Sequence, residues 1–191
     1  MLEQLLHYDT EFFLYLNNLG NPAWDGFWRF VTEKWSSIPL YALLLYLVFK
    51  NYGLKGTLVI VVCVALMITA TDQIASLFKY GIKRPRPCKV EELQPIMRYV
   101  ADGCGRFGYF SAHAASSMAA AVFIGLSLQK WYRYLPFILL VWAVATGYSR
   151  IYLGVHYPLD VVSGMAFGGL TGWFFYLLQK WGQKKFKTQE A

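Results

Sequence analysis

Apolar stretches of bilayer-crossing length recur along the 191-residue chain, separated by short polar connections. A hydrocarbon core about 30 Å thick takes roughly 17–25 helical residues per crossing. Within it, every backbone N–H and C=O must be bonded inside a helix or a closed barrel. With 57% hydrophobic, 18% aromatic and only 15% charged residues, the chain is too apolar for a soluble domain of this size. The expected fold is all-α, a polytopic membrane helical bundle forming one membrane-embedded domain over 1–191. Five crossings are predicted, at 36–50, 54–78, 114–128, 134–148 and 159–178. The first is expected to extend backwards through 26–31, with a kink at Pro39. Trp24, Trp28 and Trp35 lie at that end, where amphipathic indoles favour the headgroup layer.

The N-terminal segment 1–25 lacks the basic start of a removable leader, and Asp9 and Glu11 interrupt its first apolar run. Leu2, Leu5, Leu6, Phe12, Phe13 and Leu16 recur near helical spacing. That pattern suits a helix lying in the membrane interface, or equally one packed on the bundle. Orientation follows from bases near the span ends. Lys50, Lys55, Lys130, Arg133, Lys180, Lys184, Lys185 and Lys187 fall on one side, opposed there only by Glu190. The other side holds the remaining ten of the 18 bases, but Lys79, Lys83, Arg84, Arg86 and Arg150 have a chemical use, which leaves five incidental ones. The C-terminal basic tail, 180–191, is therefore expected in the cytoplasm and the N-terminus outside. Gly164, Gly168 and Gly172 recur at four-residue intervals, a pattern that lets helices approach closely. Either packing against Ala115 and Ala119 or a homodimer seam would use it.

Nearly all the unusual polar residues fall in three segments, which this topology brings to one face of the membrane. They are Lys79 to Pro87, Phe110 to His113, and Ser149 to Asp160. Alone, a basic run beside a span usually snorkels or binds anionic lipid. Here Arg150 joins it from far along the chain with two histidines and an aspartate, and a phosphate oxyanion is the natural common ligand. Arg offers planar paired donors to phosphate and Lys a mobile point charge. His156 and Asp160, four residues apart, share a face of a helix or its first turn. A carboxylate holding Nδ1–H leaves Nε2 as a lone pair able to attack phosphorus; a capping Asp beside an interfacial His is the plain alternative. Pro158 suits the first turn of such a helix. Ser111 is a suitable N-cap for the third span, where free N–H groups favour anions, and His113 in the next turn is placed to protonate a leaving alkoxide. His7 has no such company and reads as interfacial.

Together the three segments resemble the type-2 phosphatidic acid phosphatase family, which shares its core with vanadium haloperoxidases. The family pattern is K-x6-RP, then PSGH, then SR-x5-H-x3-D. This chain has Lys79 with Arg86 and Pro87, then Phe110-Ser111-Ala112-His113, then Ser149-Arg150 with His156 and Asp160. The resemblance covers roughly 55–175. It implies a phosphohistidine mechanism with His156 as nucleophile, Asp160 orienting it, and His113 protonating the leaving oxygen and later activating water. Lys79, Arg86, Arg150, Ser111 and the backbone at Ala112 would bind the phosphoryl oxygens. No cofactor and no metal are implied. Phe110 and Ala112 depart from the pattern. If the loop used positive φ at the glycine position, Ala112 would be strained.

The expected partners are the membrane and a lipid phosphate or pyrophosphate, with no nucleic acid. An external site points to the bacterial inner membrane, facing the periplasm or exterior. Undecaprenyl pyrophosphate is the first-choice substrate, ahead of lipid A phosphate, phosphatidylglycerophosphate and phosphatidic acid. A lipid transporter or binding scaffold and a vanadate-dependent haloperoxidase are the readings from other classes. Asp72, the one acid inside a predicted span, is expected to pair with Lys79 seven residues on or with donors of a neighbouring helix. Cys88 and Cys104 bracket the loop between the first two motifs and would bridge in an oxidising compartment or stay as free thiols. Cys63 lies within a span.

Overall fold

A computed structural model describes residues 1–33 and 35–185. Lys187, counted above among the cytoplasmic bases, lies outside these residues. The described chain is helical: α1 (Leu2–Asn18), α2 (Pro22–Thr32), α3 (Ile38–Ile82), α4 (Ala112–Leu128), α5 (Leu135–Tyr152) and α6 (Pro158–Lys185). The segments Trp35–Ile82, Leu135–Tyr152 and Pro158–Lys185 are long and apolar enough to cross a membrane, and Ala112–Leu128 is a shorter apolar helix.

The 45-residue helix α3 is two helices that meet at Gly53, whose φ of 62° and ψ of −176° leave the helical region. Only glycine takes that conformation without steric cost. Tyr52 donates its hydroxyl to Ser127 O at 2.6 Å, and Asn51 Nδ2 donates to Tyr132 Oη at 3.3 Å. The corner therefore sits beside the end of α4 and the start of α5. The second half runs back along α4, with Thr71 and Ser116 hydroxyls 3.3 Å apart, and delivers Lys79 to the N-terminal end of α4. Counting the halves separately, five apolar helical segments form the bundle, at the positions expected for the crossings. Large apolar residues such as Leu43, Leu66, Val141 and Leu170 are exposed on its outside, as a lipid-facing surface requires.

The tightest helix pair is α4 with α6, held by the glycine ladder. A Cβ on Gly164 would lie 2.6 Å from Ser111 O, one on Gly168 would overlap Ala115 O, and one on Gly172 would lie 2.5 Å from Ala119 O. The small residues thus form an internal packing face, where van der Waals contact substitutes for the missing hydrophobic drive between helices in lipid.

Two expectations at the N-terminal side are corrected. Residues 26–31 do not lengthen the first crossing; they belong to α2, a separate helix capped by Asn21, whose side chain accepts from Ala23 N at 2.9 Å. Glu33 leaves α2 in an extended conformation, and Pro39 sits in the first turn of α3 instead of kinking it, because the missing N–H costs nothing there. Helix α1 packs on the bundle through one face and leaves Leu2, Leu5 and Phe12 exposed on the other. Its Phe13 is fully buried and meets Tyr157 edge-on at 5.4 Å. Buried Asn17 bonds Arg98 N at 2.7 Å through Oδ1 and donates to Ile151 O and Tyr152 O.

Candidate active site

The three motifs meet where α3, α5 and the loops before α4 and α6 converge. After α3, Lys83 takes a left-handed cap (φ 56°) and its N–H bonds Lys79 O. The chain then pairs briefly with the approach to α4: Gly108 N donates to Arg84 O at 3.0 Å and Arg86 N to Arg106 O at 3.2 Å, on either side of a Pro85–Phe107 bridge. A Cys88–Cys104 disulfide closes the same loop, with Cα atoms 6.6 Å apart. The pairing ties the first motif to the second. Ser111 ties the second to the third, since its N–H donates to Asp160 O at 3.0 Å while its side chain caps α4 by accepting from Ala114 N at 3.4 Å.

His156 lies between α5 and α6 and is 1% exposed. Its Nδ1 is 3.2 Å from Asp160 Oδ2, which also accepts from Tyr157 N at 3.2 Å. An ionised carboxylate there selects the tautomer with hydrogen on Nδ1 and leaves Nε2 unprotonated. Asp160 Oδ1 accepts from Arg84 Nη1 at 3.0 Å. Gly108 presses against this pair: a Cβ on it would meet Arg86 Cγ and Asp160 Oδ2 at 3.0 Å and His156 Nδ1 at 3.5 Å. Arg86 is steadied by Nε donating to Phe107 O at 2.9 Å. Arg150, in the last turn of α5, donates from Nη1 to Thr32 Oγ1 at 2.6 Å, while its buried Nε has no partner among the described residues. That N–H is a donor available to an anion.

Burial pushes the His156 imidazole well below its ordinary pKa of 6.5, and the positive fields of Arg86, Arg150, Lys79 and Arg84 push the same way. Both causes disfavour the imidazolium, so the neutral ring persists as pH falls through 6.5. Nitrogen-15 spectra of histidine-labelled protein in detergent are expected to show His156 neutral at pH 6; a titration midpoint at or above 6.5 would contradict this.

A cavity of about 580 Å³ opens between the two halves of α3, α4 and α5. Thr32, Glu33, Asp72 and His113 line its polar part, and residues such as Val48 and Ile124 line the remainder. His113 stands in the first turn of α4 and faces this space. Asp72 faces the cavity, and its charge acts on Lys79, the base expected to partner it, without an ion-pair contact among the described residues. The strain considered at Ala112 does not arise, because it is the first residue of α4 and Lys83 is the one positive-φ non-glycine among the described residues. Phe110 packs between Phe78 and Phe167 at 5.3 and 5.2 Å.

Sequence reading missed three contributors: Gly108 is one of several loop glycines, and Thr32 and Asp9 carry no local pattern. Arg84, counted among the bases with a chemical use, had no partner assigned from sequence. Asp9 accepts from Arg84 Nη2 at 2.6 Å and from Leu159 N at 2.8 Å.

These converging helix ends gather a buried histidine–aspartate pair and several cations at the edge of a membrane helical bundle. The chain belongs to the PAP2 superfamily, whose family model matches residues 58–184. It is a membrane lipid phosphatase, a hydrolase acting on phosphate esters. It is 38% identical over 181 residues to a lipid A 4'-phosphatase of Bacteroides thetaiotaomicron, covering 93% of this chain and 80% of the relative. An undecaprenyl-diphosphatase of Sulfolobus acidocaldarius is 29% identical, covering 92% of this chain and 79% of its own. The fold is shared with the crystal structure of a transmembrane PAP2-type phosphatidylglycerolphosphate phosphatase from Bacillus subtilis, with TM-score 0.71 and 20% identity over 95% of this chain and 87% of that one.

Proposed function

We propose that the protein removes a phosphate monoester from the sugar headgroup of an envelope lipid of the lipid A type, through a phosphohistidine formed on His156. In the first step His156 Nε2 forms a bond to phosphorus as the ester P–O bond breaks, and His113 gives a proton to the departing oxygen. In the second, His113 takes a proton from water, water oxygen bonds phosphorus, and the P–N bond breaks to release inorganic phosphate. Lys79, Arg86, Arg150 and the N–H groups at Ser111 and Ala112 carry the charge that builds on the equatorial oxygens. The observation that carries this reading is the buried His156–Asp160 pair set among these cations.

Two supports favour a sugar monoester over a pyrophosphate. One is the extended similarity to the lipid A 4'-phosphatase. The other is that Glu33 and Asp72 line the cavity with His113, on the leaving-group side. Carboxylates there accept hydrogen bonds from sugar hydroxyls and repel a second phosphate. Undecaprenyl pyrophosphate, the first choice from sequence, remains the second reading through the archaeal relative. The disulfide and the basic opposite end support a site facing an oxidising exterior and a cytoplasmic C-terminus.

Purified protein in detergent with EDTA should release phosphate from hexa-acyl lipid A bisphosphate with kcat/KM at least about tenfold above that for undecaprenyl pyrophosphate, a difference of about 1.4 kcal/mol in barrier. Mass spectrometry should show loss of one phosphate. A tenfold preference for the pyrophosphate would reverse the substrate assignment.

A further inference from the structure

Helix α1 lies outside the part of the chain that the family model matches, yet one of its side chains reaches the histidine site. The Asp9 carboxylate is 5% exposed and uses both oxygens: Oδ2 takes Arg84 Nη2 at 2.6 Å, and Oδ1 takes Leu159 N at 2.8 Å in the first turn of α6. Arg84 passes the connection on through Nη1 to Asp160 Oδ1, and Asp160 Oδ2 holds His156. The guanidinium lies 3.9 Å over the Tyr157 ring, and Phe13 of α1 packs on the ring as well.

We propose that Asp9 is a positioning residue for phosphoryl transfer, acting on His156 through Arg84 and Asp160. A guanidinium with two free nitrogens binds a carboxylate through both oxygens. Held at one end by Asp9, Arg84 reaches Asp160 through a single nitrogen on Oδ1 and leaves Oδ2 to the imidazole. Asp9 also balances the Arg84 charge, so the carboxylate field that stabilises a positively charged phosphohistidine is not cancelled. Without Asp9, Arg84 is free to chelate Asp160 and draw it off Nδ1. Asp9 touches neither His156 nor the cavity-lining residues, so its loss should be felt in kcat and not in substrate binding.

This inference rests on the role given above to His156 and Asp160, so His156→Ala is run beside the Asp9 variants on whichever lipid the wild type hydrolyses fastest. Asp9→Asn, nearly isosteric but uncharged, is expected to lower kcat about 30-fold with KM within twofold. Asp9→Glu, charged but longer, should keep at least about a third of wild-type kcat. A space-filling role predicts the reverse order. Arg84→Gln added to Asp9→Asn should return kcat to within about fivefold of wild type, since the unbalanced guanidinium is gone. Wild-type kcat in Asp9→Asn, or losses that multiply in the double variant, overturn the inference while an inactive His156→Ala leaves the histidine mechanism standing. Retained release by His156→Ala overturns both. If Asp9→Asn fails to fold, as read from thermal unfolding in detergent, Asp9→Glu decides: folded protein with kcat down by a hundredfold or more overturns the inference.

Discussion

His156→Ala is expected to lower phosphate release by about 10⁴-fold or more, a loss of roughly 5.4 kcal/mol of transition-state stabilisation. The expectation follows from how little else at the site can attack phosphorus. Nε2 is the one atom that Asp160 leaves as an unprotonated lone pair within the ring of cations. The cations themselves would still bind a phosphorylated headgroup in the variant, so KM or inhibition by inorganic phosphate should change by less than about tenfold. Rapid quench of wild-type protein with radiolabelled lipid into alkaline detergent should trap an alkali-stable, acid-labile phosphoprotein, as a phosphoramidate requires, and the variant should give none. Release within tenfold of wild type would mean that water or another side chain attacks directly. Asp160→Asn should fall between the two, because an amide still reaches Nδ1 but no longer selects its tautomer or balances its charge.

The positions of the crossings were legible because a bilayer imposes one length on every helix, and four stretches needed only their apolar runs to be placed. The failure at 26–31 has a local cause. Phe27, Trp28, Phe30 and Val31 give α2 an apolar content close to that of a span start, and the opposing signals, Asn21-Pro22 as a cap and Glu33 as a break, are weaker than the apolar run. The site was legible to the degree that its chemistry repeats along the chain: a histidine four residues before an aspartate, a serine capping a helix that carries a histidine, and arginines returning from separate segments. Asp9 and Arg84 are 75 positions apart, and nothing in either neighbourhood signals the other. Asp72 was legible in part: its charge acts on Lys79 seven residues on, as an acid inside a span requires, while the cavity it faces has no signal in the sequence.

The α4–α6 contact leads to the second large effect, on stability. Gly168→Ala should destabilise the folded bundle by about 3 kcal/mol or more and lower its thermal midpoint in detergent by about 10 °C. The added methyl would overlap Ala115 O and come within 2.8 Å of Ala115 C and 2.9 Å of its Cα. Backbone inside a helix cannot turn aside as a long side chain can, so the two helices must separate or slide. Either movement pulls Ser111 N away from Asp160 O, the bond that sets the second motif against the third, and so activity should fall along with stability. Gly169→Ala is the internal control one residue on: the nearest atom to its Cβ is Met118 Cγ at 3.9 Å, an ordinary contact, and alanine suits a helix better than glycine by about 1 kcal/mol. It should melt at or slightly above the wild-type temperature with full activity. Midpoints for the two variants within about 2 °C of each other would show that close approach at the glycine ladder does not hold α4 to α6.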